Sequence, residues 1–331
     1  MPVSPFLICT SCATPLDPDA PESCRRCGAT YDLVNGEMVS FLPPGANTAL
    51  DALDYDSVYS VDADSSQRLY RQCRSFLGDF LPSHAASYLE VGAGTGLFTL
   101  GYLGAAPPDR ALVTDISPKM LDVCRSRLHS GGIGQKTQVS YALWDGTQRC
   151  FANGAFDLVA GFSVLHHILD YRSVLGLLHD AMSEGGRAIF LEPSLAFHHA
   201  MVSHLANVVT AMPADEPGWS PEYSAVVGCW IAENYLNIKY RGDELALERR
   251  EDKHMFDEET LRAAGADAGF GSTHVIPFAE ANEAWSTFNV YIHQLPIPEE
   301  ARALILLRCA SMMPGPFFYL APEERAPSFL V

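Results

Sequence analysis

The chain has 331 residues, 48% of them hydrophobic, with 22 Lys and Arg against 40 Asp and Glu. That length and apolar content suit one α/β domain with additions and exclude a disordered or fibrous chain. The formal net charge of −18, with scattered basic residues, favours a small or neutral substrate over RNA, and nucleic acid is not the expected partner.

No run of about 18 apolar residues is present, and Met1-Pro2-Val3-Ser4-Pro5 lacks a signal peptide's basic start, so a cytoplasmic protein with no membrane partner is expected. At the N-terminus Cys9-Thr10-Ser11-Cys12 and Cys24-Arg25-Arg26-Cys27-Gly28 form two Cys-x-x-Cys knuckles around a Pro- and Asp-rich hairpin, Ala13 to Ser23. Each knuckle aims two thiolates at one point, and together they supply the tetrahedral set that Zn2+ prefers. With four protein ligands no position is left for a catalytic water, so the zinc is expected to be structural. The other cysteines, Cys73, Cys124, Cys150, Cys229 and Cys309, read as buried small hydrophobes. Tyr31 to Phe41 reads as the ribbon's last strand and exit, giving a zinc ribbon over residues 1–42.

Pro43-Pro44-Gly45 marks a linker, and Tyr59, Leu69, Cys73, Phe76, Leu77 and Phe80 follow at roughly helical spacing until Pro82, a linker and helical segment over 43–82. Strands and helices then alternate, with strands expected at Tyr88–Val91, Ala111–Asp115, Gln138–Ala142, Phe156–Gly161 and Ala188–Glu192. That pattern predicts an α/β fold, a Rossmann-like, doubly wound, mostly parallel sheet over residues 83–193. Between 194 and 250 the alternation stops. His198, His199, Met201, His204, Met212, Trp219, Tyr223, Trp230, Tyr235 and Tyr240 fall in this stretch, which reads as a helical cap insertion. From 251 to 331 the core resumes, with a helix at Asp257–Ala268, a strand near Thr273–Ile276, a mostly helical tail from Glu280 to Pro322 and a last strand at Ser328–Val331.

The chemistry sits at strand ends. Glu90-Val91-Gly92-Ala93-Gly94-Thr95-Gly96 follows a strand and opens a helix, where glycines let a ligand approach the backbone. A dinucleotide fingerprint needs its third glycine at position 97, which is Leu97, so the spacing leans away from NAD and toward a nucleoside without a pyrophosphate. About twenty residues on, Asp115, followed by Ile116, ends the second strand, where a carboxylate can accept both ribose hydroxyl protons. After the third strand, Asp145 can accept an adenine amino group, with Trp144 near the ring. The fourth ends in Gly161-Phe162-Ser163-Val164-Leu165-His166-His167. Its carboxyl end is expected to face the reacting group.

These segments resemble, in order, the motifs of class I S-adenosyl-L-methionine-dependent methyltransferases over residues 55–192: the glycine motif at Glu90 to Gly96, the ribose ligand at Asp115, the adenine contact at Asp145 and the fourth motif at Phe156 to His167. Gly185-Gly186-Arg187 and Phe190-Leu191-Glu192-Pro193 resemble the turn and fifth strand of the small-molecule members. The resemblance implies S-adenosyl-L-methionine as cofactor, held by Glu90, Gly92, Gly94, Gly96, Asp115, Ile116, Trp144, Asp145 and Phe162. Glu90 reads as a structural acceptor that organises the loop rather than as a base.

Methyl transfer from a sulfonium needs alignment, exclusion of water and, for an acidic acceptor, proton removal. His166 and Glu192 are the candidate bases, with Glu192 favoured; His254 is placed similarly by family analogy. The expected acceptor is a small aromatic or apolar metabolite of specialised biosynthesis. Two alternatives stay open. The ribbon is also similar to that of a bacterial 23S rRNA guanine methyltransferase, which points to RNA, although residues 1–37 carry Asp17, Asp19, Glu22, Asp32 and Glu37 against only Arg25 and Arg26. The other is a methyltransferase-like protein that binds or rearranges a ligand without methyl transfer. A protein partner could dock through the ribbon.

Overall fold

A computed structural model describes residues 4–43, 46, 61–213, 215–239, 252–278, 283–293, 295–312 and 328–331. Pro44 and Gly45 of the linker, Tyr59, Tyr240, Glu280 and the tail over 313–322 lie outside the described residues. The chain divides into two compact units, Met1–Val164 with Asp170–Phe190 and Ala264–Ser272, and Leu165–Leu169 with Leu191–Ala263 and Thr273–Val331.

In the first unit the two knuckles fold alike. Cys9 N–H donates to Thr14 O (2.8 Å) and Ala13 N–H to Cys9 O (2.9 Å), while Cys24 N–H donates to Ala29 O (2.8 Å) and Gly28 N–H to Cys24 O (2.9 Å). Ala13 and Gly28 take the same left-handed backbone, at φ 55° and 74°. Where one strand and an exit were expected, there is a hairpin. β1 (Asp32–Val34) and β2 (Met38–Ser40) turn through Asn35 and Gly36, both at positive φ as a type I′ turn requires. β2 then pairs in parallel with β5 (Gln138–Leu143), so the ribbon's exit is itself a strand of the sheet. Ahead of the first knuckle, Leu7 bridges Phe151, Ile8 N–H donates to Cys150 O (2.9 Å) and the Phe6 ring lies 4.8 Å from that of Phe156.

The sheet follows the expected alternation. β3 (Ser87–Val91) is buried along its whole length and pairs in parallel with β4 (Arg110–Asp115) on one side and β6 (Phe156–Phe162) on the other, while β4 pairs in parallel with β5. The order in this unit is β1-β2-β5-β4-β3-β6-β7, with β7 at Met182–Pro193. Strands covered on both faces read as near-continuous apolar runs, which is why Tyr88–Val91 and Ala111–Asp115 were visible. Helices α1 (Ala63–Leu77), α2 (Leu97–Ala105), α3 (Pro118–Ser130) and α4 (Tyr171–Ala181) connect them. A capping box of Asp62 and Ser65 starts α1; Ser117 caps α3 with Pro118 in its first turn, and Asp170 caps α4. The buried face of α1 is Ser66, Tyr70, Cys73 and Leu77. Phe80, expected on it, is 49% exposed beyond the helix end.

In the second unit the last residues of β7 pair antiparallel with β9 (Ser328–Leu330), and β9 pairs antiparallel with β8 (Ile276–Phe278). β8 lies three residues beyond its expected start and contains Pro277. It pairs only with β9 among the described residues, and Pro is tolerated at a sheet edge because it has no N–H to give. With the ribbon hairpin set aside, seven mostly parallel strands remain, a Rossmann-like architecture. The insertion is helical, as expected: α5 (Leu195–Thr210) and α6 (Pro221–Lys239). α7 (Glu258–Asp267), α8 (Glu283–His293) and α9 (Glu299–Met312) follow. Phe197, Met201, Leu205, Val208 and Val227 form one core with Phe288, Ile292 and Ile305, and Met212, Trp219, Tyr223 and Trp230 pack against it. The aromatic stretch is therefore chiefly a packing surface. Among the described residues no helix is long and apolar enough to cross a membrane.

Candidate functional site

The strand order reverses at β3, with β4 to one side and β6 to the other, and in open α/β sheets ligands bind outside the carboxyl ends of the strands at such a point. The loop after β3 is fixed by a buried carboxylate. Glu90 is 1% exposed, and its Oε2 accepts from Tyr88 Oη and Thr99 Oγ1, each at 2.8 Å. Thr114 Oγ1 donates to the Glu90 carbonyl (2.7 Å), and Ala93 N–H to Thr114 O (2.9 Å). Burial pushes the Glu90 carboxyl up to about 7, against the lowering effect of the two hydroxyls. This geometry makes Glu90 an organiser of the loop.

Two glycines of the loop are required by space as well as by φ. A Cβ on Gly92 (φ 65°) would lie 2.4 Å from Val164 Cγ2, and one on Gly96 (φ 99°) 2.8 Å from Cys124 Sγ. The middle glycine is tied to the next strand, since Gly94 N–H donates to Asp115 Oδ2 (2.8 Å) while Ser117 N–H donates to Asp115 Oδ1 (2.8 Å). Each carboxylate oxygen keeps lone pairs for a further donor. Asp115 is 6% exposed, and burial raises its carboxyl above the ordinary value despite those N–H bonds. Ile116, beside it, is half-buried.

Asp145 holds an Asx turn, with Oδ1 accepting from Thr147 N–H (3.0 Å) and Thr147 Oγ1 (2.7 Å). Trp144 departs from expectation. It is 3% exposed, gives its indole N–H to Gln148 O (2.7 Å) and meets Phe151 edge-on at 4.8 Å, so its ring belongs to the core. Phe162 at the end of β6 stacks on Phe98 with ring centroids 3.8 Å apart. Next to it Ser163, exposed and at φ 53°, holds a strained backbone at the strand's carboxyl end; no sequence signal marks it.

His166 and Glu192, considered as separate candidates, form one unit. Glu192 is fully buried, and Leu165 N–H donates to its Oε1 (2.9 Å) and His166 N–H to its Oε2 (3.2 Å). His166 Nδ1 lies 2.8 Å from the same Oε2. A carboxylate accepts, so Nδ1 carries the proton and Nε2 carries the lone pair. Both carboxylate oxygens of Glu192 are thus engaged by the turn that carries His166. His254 Nε2 lies 3.1 and 3.0 Å from the carbonyls of Ile168 and Leu169, where it secures the turn after His166, and burial lowers its pKa. Sequence reasoning missed Asp252, whose Oδ1 is 3.6 Å from His166 Nε2, because nothing in its local sequence marks it. Among the described residues His198 Nε2 is buried with no geometric hydrogen-bond partner, and burial holds the ring's pKa down to about 4.

In the ribbon, the sulfurs of Cys9, Cys12, Cys24 and Cys27 lie within 4.8 Å of one another, with Cys9 Sγ 3.5 Å from Cys27 Sγ and Cys12 Sγ 3.6 Å from Cys24 Sγ. Tyr31 Oη donates to Cys9 Sγ (3.1 Å), the kind of outer-shell bond that steadies a metal thiolate. The donor set fits Zn2+ in a closed tetrahedron.

Two outcomes follow from these geometries. Cobalt substitution is expected to give thiolate charge-transfer absorption that Cys9→Ser sharply reduces; an unchanged spectrum would place the ion elsewhere. Glu90, with its pKa raised, contributes most below its ordinary carboxyl range, and that contribution is lost as pH rises through about 7. Glu90→Gln, which keeps the acceptor oxygen, should therefore flatten the fall in denaturation midpoint between about pH 5 and about pH 8, an effect of up to roughly 3 kcal/mol. Parallel pH profiles would show that burial of this charge has no such cost.

Residues 89–188 match the family described as Methyltransferase domain. Over 144 residues the chain is 28% identical to the demethylmenaquinone methyltransferase of Bacteroides fragilis, covering 44% of this chain and 55% of that protein. It is 29% identical over 179 residues to a highly reducing polyketide synthase of Emericella nidulans, covering 49% of this chain and 7% of that one. The chain thus spans about half the length of the first relative and a small part of the second. In structure it is similar to an S-adenosylmethionine dependent methyltransferase from Mesorhizobium loti, at 21% identity, 82% and 98% coverage and a TM-score of 0.46. Residues 89–188, which hold the glycine loop, Asp115 and Asp145, are thus the part of the chain that is similar to methyltransferase domains.

Proposed function

We propose that the protein transfers a methyl group from S-adenosyl-L-methionine to a small aromatic or apolar metabolite, as in specialised metabolite biosynthesis. The observation that carries this reading is the Gly94 to Asp115 hydrogen bond, which joins the glycine loop after β3 to the acidic end of β4 inside the segment that matches the methyltransferase family. In this reading Gly92, Gly94 and Gly96 admit the cofactor's backbone contacts, Asp115 accepts from the ribose hydroxyls, Asp145 from the adenine amino group, and Ile116 and Phe162 pack beside them.

The four-thiolate zinc is a structural staple of a ribbon over residues 1–42, and the cofactor core spans 83–193. The Bacteroides relative is named for demethylmenaquinone, and the apolar character of the acceptor is in line with that name. An RNA acceptor is disfavoured by the ribbon's charge, since residues 1–37 carry Asp17, Asp19, Glu22, Asp32 and Glu37 against Arg25 and Arg26, and Arg25 pairs with Asp17.

Calorimetry is expected to show S-adenosyl-L-methionine binding that Asp115→Ala weakens by about 10- to 100-fold, the loss of hydrogen bonds to a charged group worth roughly 1.5–3 kcal/mol. Equal affinity in the variant would remove Asp115 from the cofactor site. For proton removal, His166→Ala should lower S-adenosylhomocysteine release with a turned-over acceptor by at least about tenfold at saturating cofactor, and Glu192→Gln should lower it less if its role is to orient the ring. Wild-type rates in both would leave alignment alone to drive transfer.

A further inference from the structure

We infer that His166, His167 and Asp252 form a binding site for a divalent transition metal, separate from the four-cysteine zinc site. Asp252 Oδ1 lies 3.6 Å from His166 Nε2 and 3.5 Å from His167 Nδ1, and the three ligand atoms all fall within 4.8 Å of one another. Ligands bound at about 2.0–2.2 Å in a tetrahedron stand roughly 3.4 Å apart, so two edges of the coordination triangle are already near their bound length. His167 and Asp252 have side chains 40% and 47% exposed, which leaves the outer face open for water or a ligand.

Two features mark this cluster as built. The first lies behind the metal. His166 gives Nδ1–H to the fully buried Glu192 at 2.8 Å, which fixes the tautomer that presents an Nε2 lone pair, and a carboxylate behind a histidine is the usual outer shell of a metal ligand. The second holds Asp252 in register, although it lies in no helix or strand. Lys253 N–H donates to the His166 carbonyl (2.7 Å), as does His254 N–H (3.2 Å), and His254 Nε2 reaches the carbonyls of Ile168 and Leu169. The segment that brings the carboxylate is thus laced to the turn that carries both histidines.

Two imidazoles and one carboxylate suit Zn2+, Mn2+, Fe2+ or Co2+ rather than Mg2+ or Ca2+, which prefer all-oxygen shells. Three protein ligands leave positions open, the arrangement of catalytic rather than structural metals. Such an ion supplies Lewis acidity toward an oxygen of a bound molecule. Nε2 of His166 cannot hold a metal and accept a proton at once. Loss of rate in His166→Ala therefore does not tell a ligand from a base, and the site is tested by binding, without cofactor or acceptor.

The probe is Mn2+, which thiolates bind poorly, so the zinc ribbon does not compete for it. Electron paramagnetic resonance is expected to show one Mn2+ taken up per wild-type chain, displaced by added Zn2+. His167→Ala and Asp252→Ala should each weaken uptake at least about tenfold, and Glu192→Gln by about 10- to 100-fold through the orientation of His166, while Cys12→Ser leaves it unchanged. Both His167 and Asp252 are partly exposed, so these two variants are expected to fold even if Glu192→Gln does not. Wild-type protein that leaves millimolar Mn2+ free, or equal uptake in the His167 and Asp252 variants, would overturn the assignment. Neither result bears on whether the chain binds S-adenosyl-L-methionine.

Discussion

A carboxylate removed from water must be given donors, and three strands of this protein end on such a group. Glu90 on β3, Asp115 on β4 and Glu192 on β7 are 1%, 6% and 0% exposed. Each would cost several kcal/mol if left unpaired. Each instead gathers hydrogen bonds: Glu90 from two hydroxyls, Asp115 from the amides of Gly94 and Ser117, Glu192 from the amides of Leu165 and His166 and from an imidazole. The donors to Asp115 lie in the loop after β3 and at the cap of α3, and those to Glu192 in the turn at 165–167, so satisfying each of these carboxylates also fixes the backbone around it.

The three differ in what they leave available. Glu90 is enclosed within the strand and the first turn of α2, and its pKa is raised to about 7, so it is suited to organising the loop. Asp115 is held by backbone amides alone, on both oxygens, and a carboxylate with about four lone-pair sites can take a further donor without breaking the loop. Glu192 is engaged by the turn at 165–167, through two backbone amides and the His166 imidazole. Burial alone does not separate these roles; the number and direction of donors does.

Much of this was legible in the sequence. The parallel strands showed as apolar runs closed by Glu90, Asp115 and the Phe162 segment, and the knuckle cysteines showed by spacing alone, because in both cases the signal is local. What was not legible depended on partners distant in the chain. Trp144 looks like a ligand-facing aromatic until Phe151 and the Gln148 carbonyl claim it. The His166 and Glu192 pair joins residues 26 apart, and Asp252 comes from much farther along. β8 starts at Ile276 and runs through Pro277, a residue tolerated because the strand pairs only with β9 among the described residues. Ser163 carries a strained φ that no residue-type preference announces.

The ribbon shows how a local motif acquires a non-local use. The outer edge of β5 would otherwise present unpaired amides and carbonyls, a surface prone to unwanted strand pairing. β2 fills that edge in parallel, pairing Val39 with Ala142 and Ser40 with Leu143, and Phe41 N–H continues the ladder to the Leu143 carbonyl at 2.9 Å. Helix α3 grips the same hairpin, since Asn35 Nδ2 donates to Asp122 Oδ2 (2.7 Å) and Arg125 pairs with Glu37. Tyr31 links the two ends of this arrangement, with its hydroxyl on Cys9 Sγ and its ring 5.2 Å from Phe41. A small loop-rich segment has too little apolar surface to hold such a strand in place alone, and metal ligation supplies folding free energy that burial cannot. A metal held by the four thiolates would stabilise the edge of the same sheet whose central strands carry Glu90 and Asp115, a role that needs no part in the chemistry.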